Sequence, residues 1–273
     1  LSVSGLTGPT ARRIGRAVTG TRVIATSYGS GLFGEDADLQ RRALTAFGCH
    51  ANVGAVLVIG ATPPHVERIA SAIAVTGKPV EALILDECDH DAITVTERGM
   101  RIAARMVREV SRARRTEASL RDLTLGMECG RSDPSSGLVA NPLVGSVVDA
   151  VVAAGGRAVF GETIEWLGAE HMLAARAVNA DVAEAIKSAV LRRERHAVDA
   201  GLDLLGNNPG PTNVTAGLST IEEKSLGAIA KGGQSQIRGV IGIADTIPGP
   251  GLYLMDAPAY APESVGGIVA AGA

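Results

Sequence analysis

Residues 126–142 of this chain bring together side chains suited to moving protons and holding charged groups. A thiol at Cys129, a carboxylate at Asp133 and hydroxyls at Ser132 and Ser136 follow directly on an apolar run, and Asn141-Pro142 has the form of an N-cap with proline in the first turn. A helix starting there would present free amides and the positive end of its dipole to an anion. Residues 162–171 then place Glu162, Glu165 and Glu170 close in sequence. A helical turn after Thr163 puts Glu162 and Glu165 on one face, where paired carboxylates can hold a divalent metal or divide acid and base duties. Next comes a loop fixed by proline and glycine, Asn207-Asn208-Pro209-Gly210-Pro211-Thr212-Asn213, followed by Glu222-Glu223-Lys224 and Lys231-Gly232-Gly233. Lys224 and Lys231 are seven residues apart and share a helix face, suited to anchoring a carboxylate or, if buried, to acting as a base. Each cluster also has a plain structural reading: a cap and a packed thiol, solvated carboxylates, solvated lysines.

The elements that must position these residues alternate regularly. Short β-branched runs over 1–3, 23–25, 55–59 and 82–85 read as buried strands, and 10–18, 38–47, 64–74 and 96–114 as helices. A charged, poorly packing stretch around Arg112, Arg114 and Arg115 suggests a boundary near residue 118, the arginines reading as a solvated helix end. The alternation restarts with strands over 123–127, 158–160, 240–243 and 252–255 and helices over 142–154 and 181–200. Ser219-Thr220-Ile221-Glu222 has the pattern of a capping box opening one more helix. The expectation is an α/β protein of two consecutive three-layer domains with mostly parallel sheets: a Rossmann-like domain over 1–118 and a catalytic core over 119–273. Gly29-Ser30-Gly31-Leu32-Phe33-Gly34 has the spacing of a dinucleotide fingerprint. It lacks the acidic partner after the next strand, which ends Ile59-Gly60-Ala61-Thr62, so it reads as a glycine-rich turn.

Composition narrows the function. A formal charge of −3 with 3% aromatic residues offers no nucleic-acid footprint, and no uninterrupted apolar stretch suggests a membrane span. Cys49, Cys88 and Cys129 form neither a disulfide framework nor a zinc-site spacing, and the five histidines are scattered. The loop Asp86-Glu87-Cys88-Asp89-His90-Asp91 reads as polar surface over a sheet edge rather than a metal site. With no export signal at Leu1-Ser2-Val3-Ser4-Gly5, a reducing cytoplasm is expected, and the missing initiator Met suggests that the sequence begins inside a longer polypeptide.

Taken in order, the 126–142 segment, the carboxylates over 162–170, Asn208-Pro209, Glu223-Lys224-Ser225-Leu226-Gly227, Lys231-Gly232-Gly233, Met255-Asp256-Ala257-Pro258 and Gly266-Gly267 resemble the altronate and galactarate dehydratase family, which includes the large subunits of sulfolactate sulfo-lyases. The resemblance implies a hydro-lyase converting a sugar acid or related 2-hydroxy acid to a 2-keto acid, with a sulfo-lyase or a non-catalytic sugar-acid-binding protein as alternatives. It implies catalytic roles for Glu162, Glu165, Cys129 and Lys224, and substrate contacts from Ser132, Asp133, Ser136, Asn141, Asn208 and Asn213. It further implies a divalent metal, typically Fe²⁺, on Cys129 and Glu162. The implied partners are a small anionic sugar acid and a small subunit resembling the family's N-terminal domain, in a homo-oligomer. The sequence departs from the family pattern at Ser4-Gly5, Gly29-Ser30-Gly31 and Gly60-Ala61-Thr62, where relatives carry cysteines.

Overall fold

The computed structural model describes residues 1–28 and 31–273, with all their side chains except those of Leu205 and Gly206; Gly29 and Ser30 of the glycine-rich turn lie outside the described residues. The chain divides into two compact units, Leu1–Glu117 and Ala118–Ala273.

The first unit contains α1 (Gly8–Ala17), α2 (Gly34–Cys49), β1 (Val56–Gly60), α3 (Pro63–Ala74), β2 (Val80–Ile84) and α4 (Ala92–Val110). β1 and β2 pair in parallel from Val56↔Val80 to Gly60↔Ile84. The other two expected strands are reduced to single bridges, Ser2↔Ala25 and Ser2↔Ile59. Their backbones do bond, Ser2 N–H to Ile24 C=O at 2.8 Å and Val3 N–H to Ile59 C=O at 2.9 Å, but the contact is too short to build a ladder. Among the described residues the first sheet is therefore two-stranded, an α/β unit with a parallel sheet in which the Rossmann-like layering expected of this half is not shown. Val58, Val66, Ile69 and Ile73 fill its core. α4 begins at Ala92 rather than at Thr96 because Asp91 is its N-cap, accepting from the amides of Ile93 and Thr94.

The second unit contains β3 (Thr124–Met127), α5 (Asn141–Ala153), β4 (Arg157–Phe160), α6 (Glu170–Ala175), α7 (Ala180–Asp199), α8 (Leu204–Asn207), α9 (Pro211–Thr215), α10 (Ile221–Ile229), β5 (Ile237–Gly242), β6 (Gly251–Asp256) and α11 (Ala261–Ala270). Its four strands are all parallel in the order β3-β4-β6-β5, so their carboxyl ends share one edge. Phe160 at the end of β4 meets Trp166 edge-to-face, ring centroids 5.8 Å apart, at the centre of a core that includes Val148, Leu173, Ile186 and Leu252.

Two capping expectations are corrected. Asn141 caps nothing: its φ and ψ are helical, because a π-helical turn over Ser136–Ala140 already runs into α5. Helical structure starts at Pro134, and the carboxylate of Asp133 accepts from the Ser136 amide at 3.1 Å and the Ser135 hydroxyl at 2.6 Å. The free amides expected in a first turn entered through Asn141-Pro142 are thus interior to a longer helix. At α10 the box is shifted by one residue: Thr220 is the N-cap, its hydroxyl accepting from the Glu223 amide while the Glu223 carboxylate accepts from the Ser219 amide.

The helical stretch Ser136–Ala153 is, by length and composition, apolar enough to cross a membrane, which the sequence reading did not anticipate. Its features are also those of a helix docked in a protein. Asp149 is bonded to the backbone of Gln234 and Ser235, and Gly145 packs against the turn Ala230–Gly232 that follows α10. A Cβ on Gly145 would lie 2.4 Å from the carbonyl oxygen of Ala230 and 2.8 Å from Cα of Gly233, so backbone meets backbone there. Gly145→Ala is expected to destabilise the protein by about 1–3 kcal/mol through overpacking, read as a lower midpoint in thermal unfolding.

Candidate active site

Parallel strands deliver their chain ends to the same edge of a sheet, the usual crevice for ligands in open α/β folds. Here β3 runs out into Glu128 and Cys129, β4 into Gly161 and Glu162, and β6 ends at Asp256. Glu162 sits at φ 67°, ψ 60°, in the left-handed region, a conformation that costs a residue with a side chain about 1–3 kcal/mol. It turns the chain from β4 into a 3-10 turn over Thr163–Trp166. The Thr163 hydroxyl donates to Asp256 at 2.8 Å and accepts from the Ala257 amide at 3.1 Å, tying that turn to the end of β6.

The strained turn converges the two carboxylates on one ammonium. Lys231 Nζ lies 3.3 Å from Glu162 Oε2 and 3.8 Å from Glu165 Oε2, with 4% of its side chain exposed. Lys224 Nζ pairs with Glu165 Oε1 at 2.8 Å and donates to Asn208 Oδ1. The Cys129 amide donates to Glu162 Oε2 at 2.8 Å, and the Cys129 thiol lies 3.1 Å from the Ser132 hydroxyl. Glu128 accepts from the Ser264 hydroxyl at 2.7 Å. Glu128 Oε1 and Glu165 Oε2 are buried with no hydrogen-bond partner among the described residues.

Burial shapes the protonation of the cluster. It pushes the Glu128 carboxyl up to about 7; the Ser264 hydrogen bond opposes this, and the neighbouring Glu162 charge reinforces it. Glu162 is raised by burial and then by Glu165, against the pull of Lys231. Cys129 is raised by burial and by Glu165, which favours the neutral thiol.

Ligand atoms of Cys129, Glu162 and Glu165 lie within 4.8 Å of one another, so the three can hold a metal ion. Glu165 Oε2 accepts no hydrogen bond, Lys231 standing 3.8 Å away, and so has lone pairs to offer, and one sulfur with two carboxylates is a donor set that a borderline divalent ion accepts. The residues present therefore fit a metal, with Glu165 joining the expected Cys129 and Glu162.

The substrate residues expected from sequence divide between two neighbouring cavities. One, of about 600 Å³, is lined by Cys129, Glu162, Glu165, Lys224, Asn208 and Asn213, with Ser132 and Arg131 also on its wall. The other, of about 560 Å³, is lined by Asp133, Ser136 and Asn141 and shares Ser132 and Lys224 with the first. Asn141 donates to the Gly227 carbonyl at 2.8 Å and Asn213 to the Ser132 carbonyl at 2.8 Å, so both hold the loops of the site together. The roles of Glu128 and Ser264 were not assigned from sequence. Glu128 carried a signal in its place directly after a strand; Ser264, far along the chain on α11, carried none.

Both units match known proteins. Residues 120–273 match the family described as D-galactarate/altronate dehydratase, C-terminal, and residues 1–111 the one described as D-galactarate dehydratase/altronate hydrolase, second domain. The chain is 37% identical over 271 residues to the (2R)-sulfolactate sulfo-lyase subunit beta of Chromohalobacter salexigens, covering 97% of this chain and 68% of that protein. It is 32% identical to the altronate dehydratase of Bacillus subtilis, over 86% of this chain and 47% of the relative. To the altronate dehydratase of Escherichia coli it is 30% identical, over 93% and 51%. The chain thus spans about half the length of these dehydratases. Two adjoining domain matches and relatives that are lyases place the chain in the D-galactarate/altronate dehydratase family.

Proposed function

We propose that this chain is the core of a lyase that removes sulfite from a 3-sulfo-2-hydroxy acid such as sulfolactate, in preference to the sugar-acid dehydration expected first from sequence. The observation that carries the lyase reading is the convergence of Glu162, Glu165, Lys224 and Lys231 at one end of the parallel sheet, beside a cavity of about 600 Å³. The choice of leaving group is supported by the 37% identity to a sulfolactate sulfo-lyase subunit across 97% of the chain. Because that relative is named as a subunit beta, a second subunit is proposed to complete the enzyme.

The reaction needs a base for the proton on C2, stabilisation of the enediolate that results, and departure of sulfite with the electron pair of the C3–S bond as C2=C3 forms. The resulting enol takes up a proton at C3 to give the 2-keto acid. Glu162, fixed by its left-handed backbone and by the Cys129 amide, is the proposed base. Glu128 is proposed to return the proton. Lys224 uses its ammonium on Glu165 and Asn208 and has one further N–H for the substrate carboxylate, and Lys231 stabilises charge from below. Arg131 lines the same cavity and makes no ion pair among the described residues, which suits it to a sulfonate. A divalent ion, proposed as Fe²⁺, on Cys129, Glu162 and Glu165 would add Lewis-acid stabilisation of the developing enediolate.

The protein, with any co-purifying subunit, is to be incubated with sulfolactate and a panel of aldonates and aldarates while sulfite and 2-keto acid are followed. Equimolar sulfite and keto acid from sulfolactate are expected, with Glu162→Gln lowering kcat by about 10²–10⁴-fold. Keto acid from a sugar acid with no sulfite from sulfolactate would return the protein to the dehydratases.

Because the Cys129 thiol is neutral, binding of Co²⁺ as a metal probe is expected to release about one proton and give a thiolate-to-metal charge-transfer band. Both are lost in Cys129→Ser, as titration calorimetry in two buffers and absorption spectra would show. In chelator-treated protein, the raised Glu128 pKa gives a sign for stability. Between its ordinary value near 4.5 and about 7 the folded state keeps a proton that the unfolded chain has released, so this group's contribution falls as pH rises through that window. Glu128→Gln should remove that component and be relatively more stable than wild type at pH 8, measured by urea unfolding from pH 5 to 8.

A further inference from the structure

Lys231 has to reach two buried carboxylates from a single 3-10 turn, Ala230–Gly232, that ends α10. What fixes that turn is a pair of residues lining neither of the two cavities. From α5, Asp149 Oδ1 accepts from the amide of Ser235 at 2.8 Å, the hydroxyl of Ser235 at 2.5 Å and the amide of Gln234 at 3.0 Å, while its Oδ2 accepts from the same Gln234 amide at 2.9 Å. From the end of α6, the half-buried Arg176 donates through Nη2 to the carbonyls of Gly232 at 2.7 Å and Ser235 at 2.8 Å, and through Nε to Ser235 at 3.3 Å. Between them Gly233 sits at φ 59°, ψ −145°, where a Cβ would fall 2.6 Å from the Asp149 carboxylate and 2.4 Å from the Gly145 carbonyl. Burial of Asp149 opposes its ionisation, but the hydrogen bonds from Ser235 and Gln234 outweigh it and hold the carboxyl below its ordinary range.

We propose that Asp149 and Arg176 are positioning residues that grip residues 232–235 from two sides and so hold the Lys231 ammonium against Glu162 and Glu165. The assignment rests on the proposed function only in taking that carboxylate pair as the reacting centre. The grip has a direction: anionic Asp149 collects the N–H groups of the turn and cationic Arg176 its carbonyls, so each backbone polarity meets the charge that satisfies it. Lys231 is aligned further by the face of Phe160, its Nζ 5.9 Å from the ring centroid.

The test has two readouts, so that failure of the clamp and failure of the lyase reading can be told apart. Lysines are acetylated with a limiting N-hydroxysuccinimide ester and mapped by mass spectrometry, with exposed Lys187 as the internal reference. In Asp149→Asn, which keeps the shape but sets an amide NH₂ against backbone N–H donors, labelling of Lys231 relative to Lys187 is expected to rise about tenfold or more. On the acid that wild type turns over, kcat is expected to fall about 10- to 100-fold with KM within about twofold, as for a misplaced group that acts in the transition state. Ser235→Ala, which removes one hydroxyl contact and leaves the backbone intact, should move both readouts in the same direction by less, and serves if Asp149→Asn does not fold. If Lys231 stays as protected in these folded variants as in wild type, the clamp is overturned. If wild type turns over nothing in the panel, the labelling still decides the clamp and only the lyase reading falls.

Discussion

Two ammonium groups and two carboxylates buried together set the terms for the rest of the second unit. Removing an ion from water costs several kcal/mol even after relaxation, and mutual attraction offsets this only where geometry and hydrogen bonding are good. The side chains of Lys231, Glu162 and Glu165 are 4%, 6% and 4% exposed, so none of them can borrow solvent to mend a poor contact. A shift of the Lys231 turn would leave buried Glu162 without its ammonium and Glu165 with Lys224 alone. The strain at Glu162, the glycine contact of Gly145 with Gly233 and the Thr163–Asp256 bond all serve the same requirement, since each fixes a chain segment that carries one of the ions.

The same balance decides how Cys129 behaves. Burial and the negative charge of Glu165 raise the thiol, and together they outweigh the Ser132 hydroxyl and the Lys231 ammonium, which favour the thiolate. Glu128 is shaped by burial first and by the neighbouring Glu162 carboxylate second, which together push its carboxyl up to about 7 against the Ser264 hydrogen bond. The site therefore holds neighbouring carboxyl groups in unlike surroundings, Glu162 held by Lys231 and the Cys129 amide and Glu128 by the Ser264 hydroxyl. That is the physical basis on which one carboxylate can take a proton while its neighbour gives one.

Much of this was legible in the sequence, and the exceptions have identifiable causes. β1, β2 and the strands of the second unit stood out as short β-branched runs, and Cys129, Glu162, Glu165 and Lys224 as polar residues directly after such runs or within one linked motif. Asn141 misled because Asn-Pro is a good local start signal, whereas the helix had already begun through Asp133, whose cap and the π-helical turn after it leave no comparable periodic mark. Segments 1–3 and 23–25 have strand composition but find partners over a single residue, which is decided by tertiary pairing rather than propensity. Lys231 was visible as a lysine seven residues from Lys224, but helical spacing gave the wrong reason for their meeting. α10 ends at Ile229, and the two ammonium groups converge because a turn bends the chain back toward β4. Asp149 and Arg176 were invisible, since their contacts are to backbone atoms distant in sequence.

Dehydration and sulfite elimination from 2-hydroxy acids begin alike, with loss of the proton on C2 and build-up of charge on the carboxylate. They differ only in what leaves C3. In the proposed mechanism the buried carboxylates and lysines act on the shared half of the chemistry, so relatives with different leaving groups can keep them unchanged. Selectivity then falls to the rim of the cavity, where the departing group is recognised. A hydroxyl needs a proton to leave as water, whereas sulfite leaves as a stable anion and benefits from a fixed positive charge. Arg131, on the cavity wall and outside the paired set of ions, is the residue of this chain whose chemistry meets the second requirement. Under the proposed function, the distinction between the two reactions would lie on the loop after β3, two residues beyond the thiol, rather than in the centre that the fold is built to hold rigid.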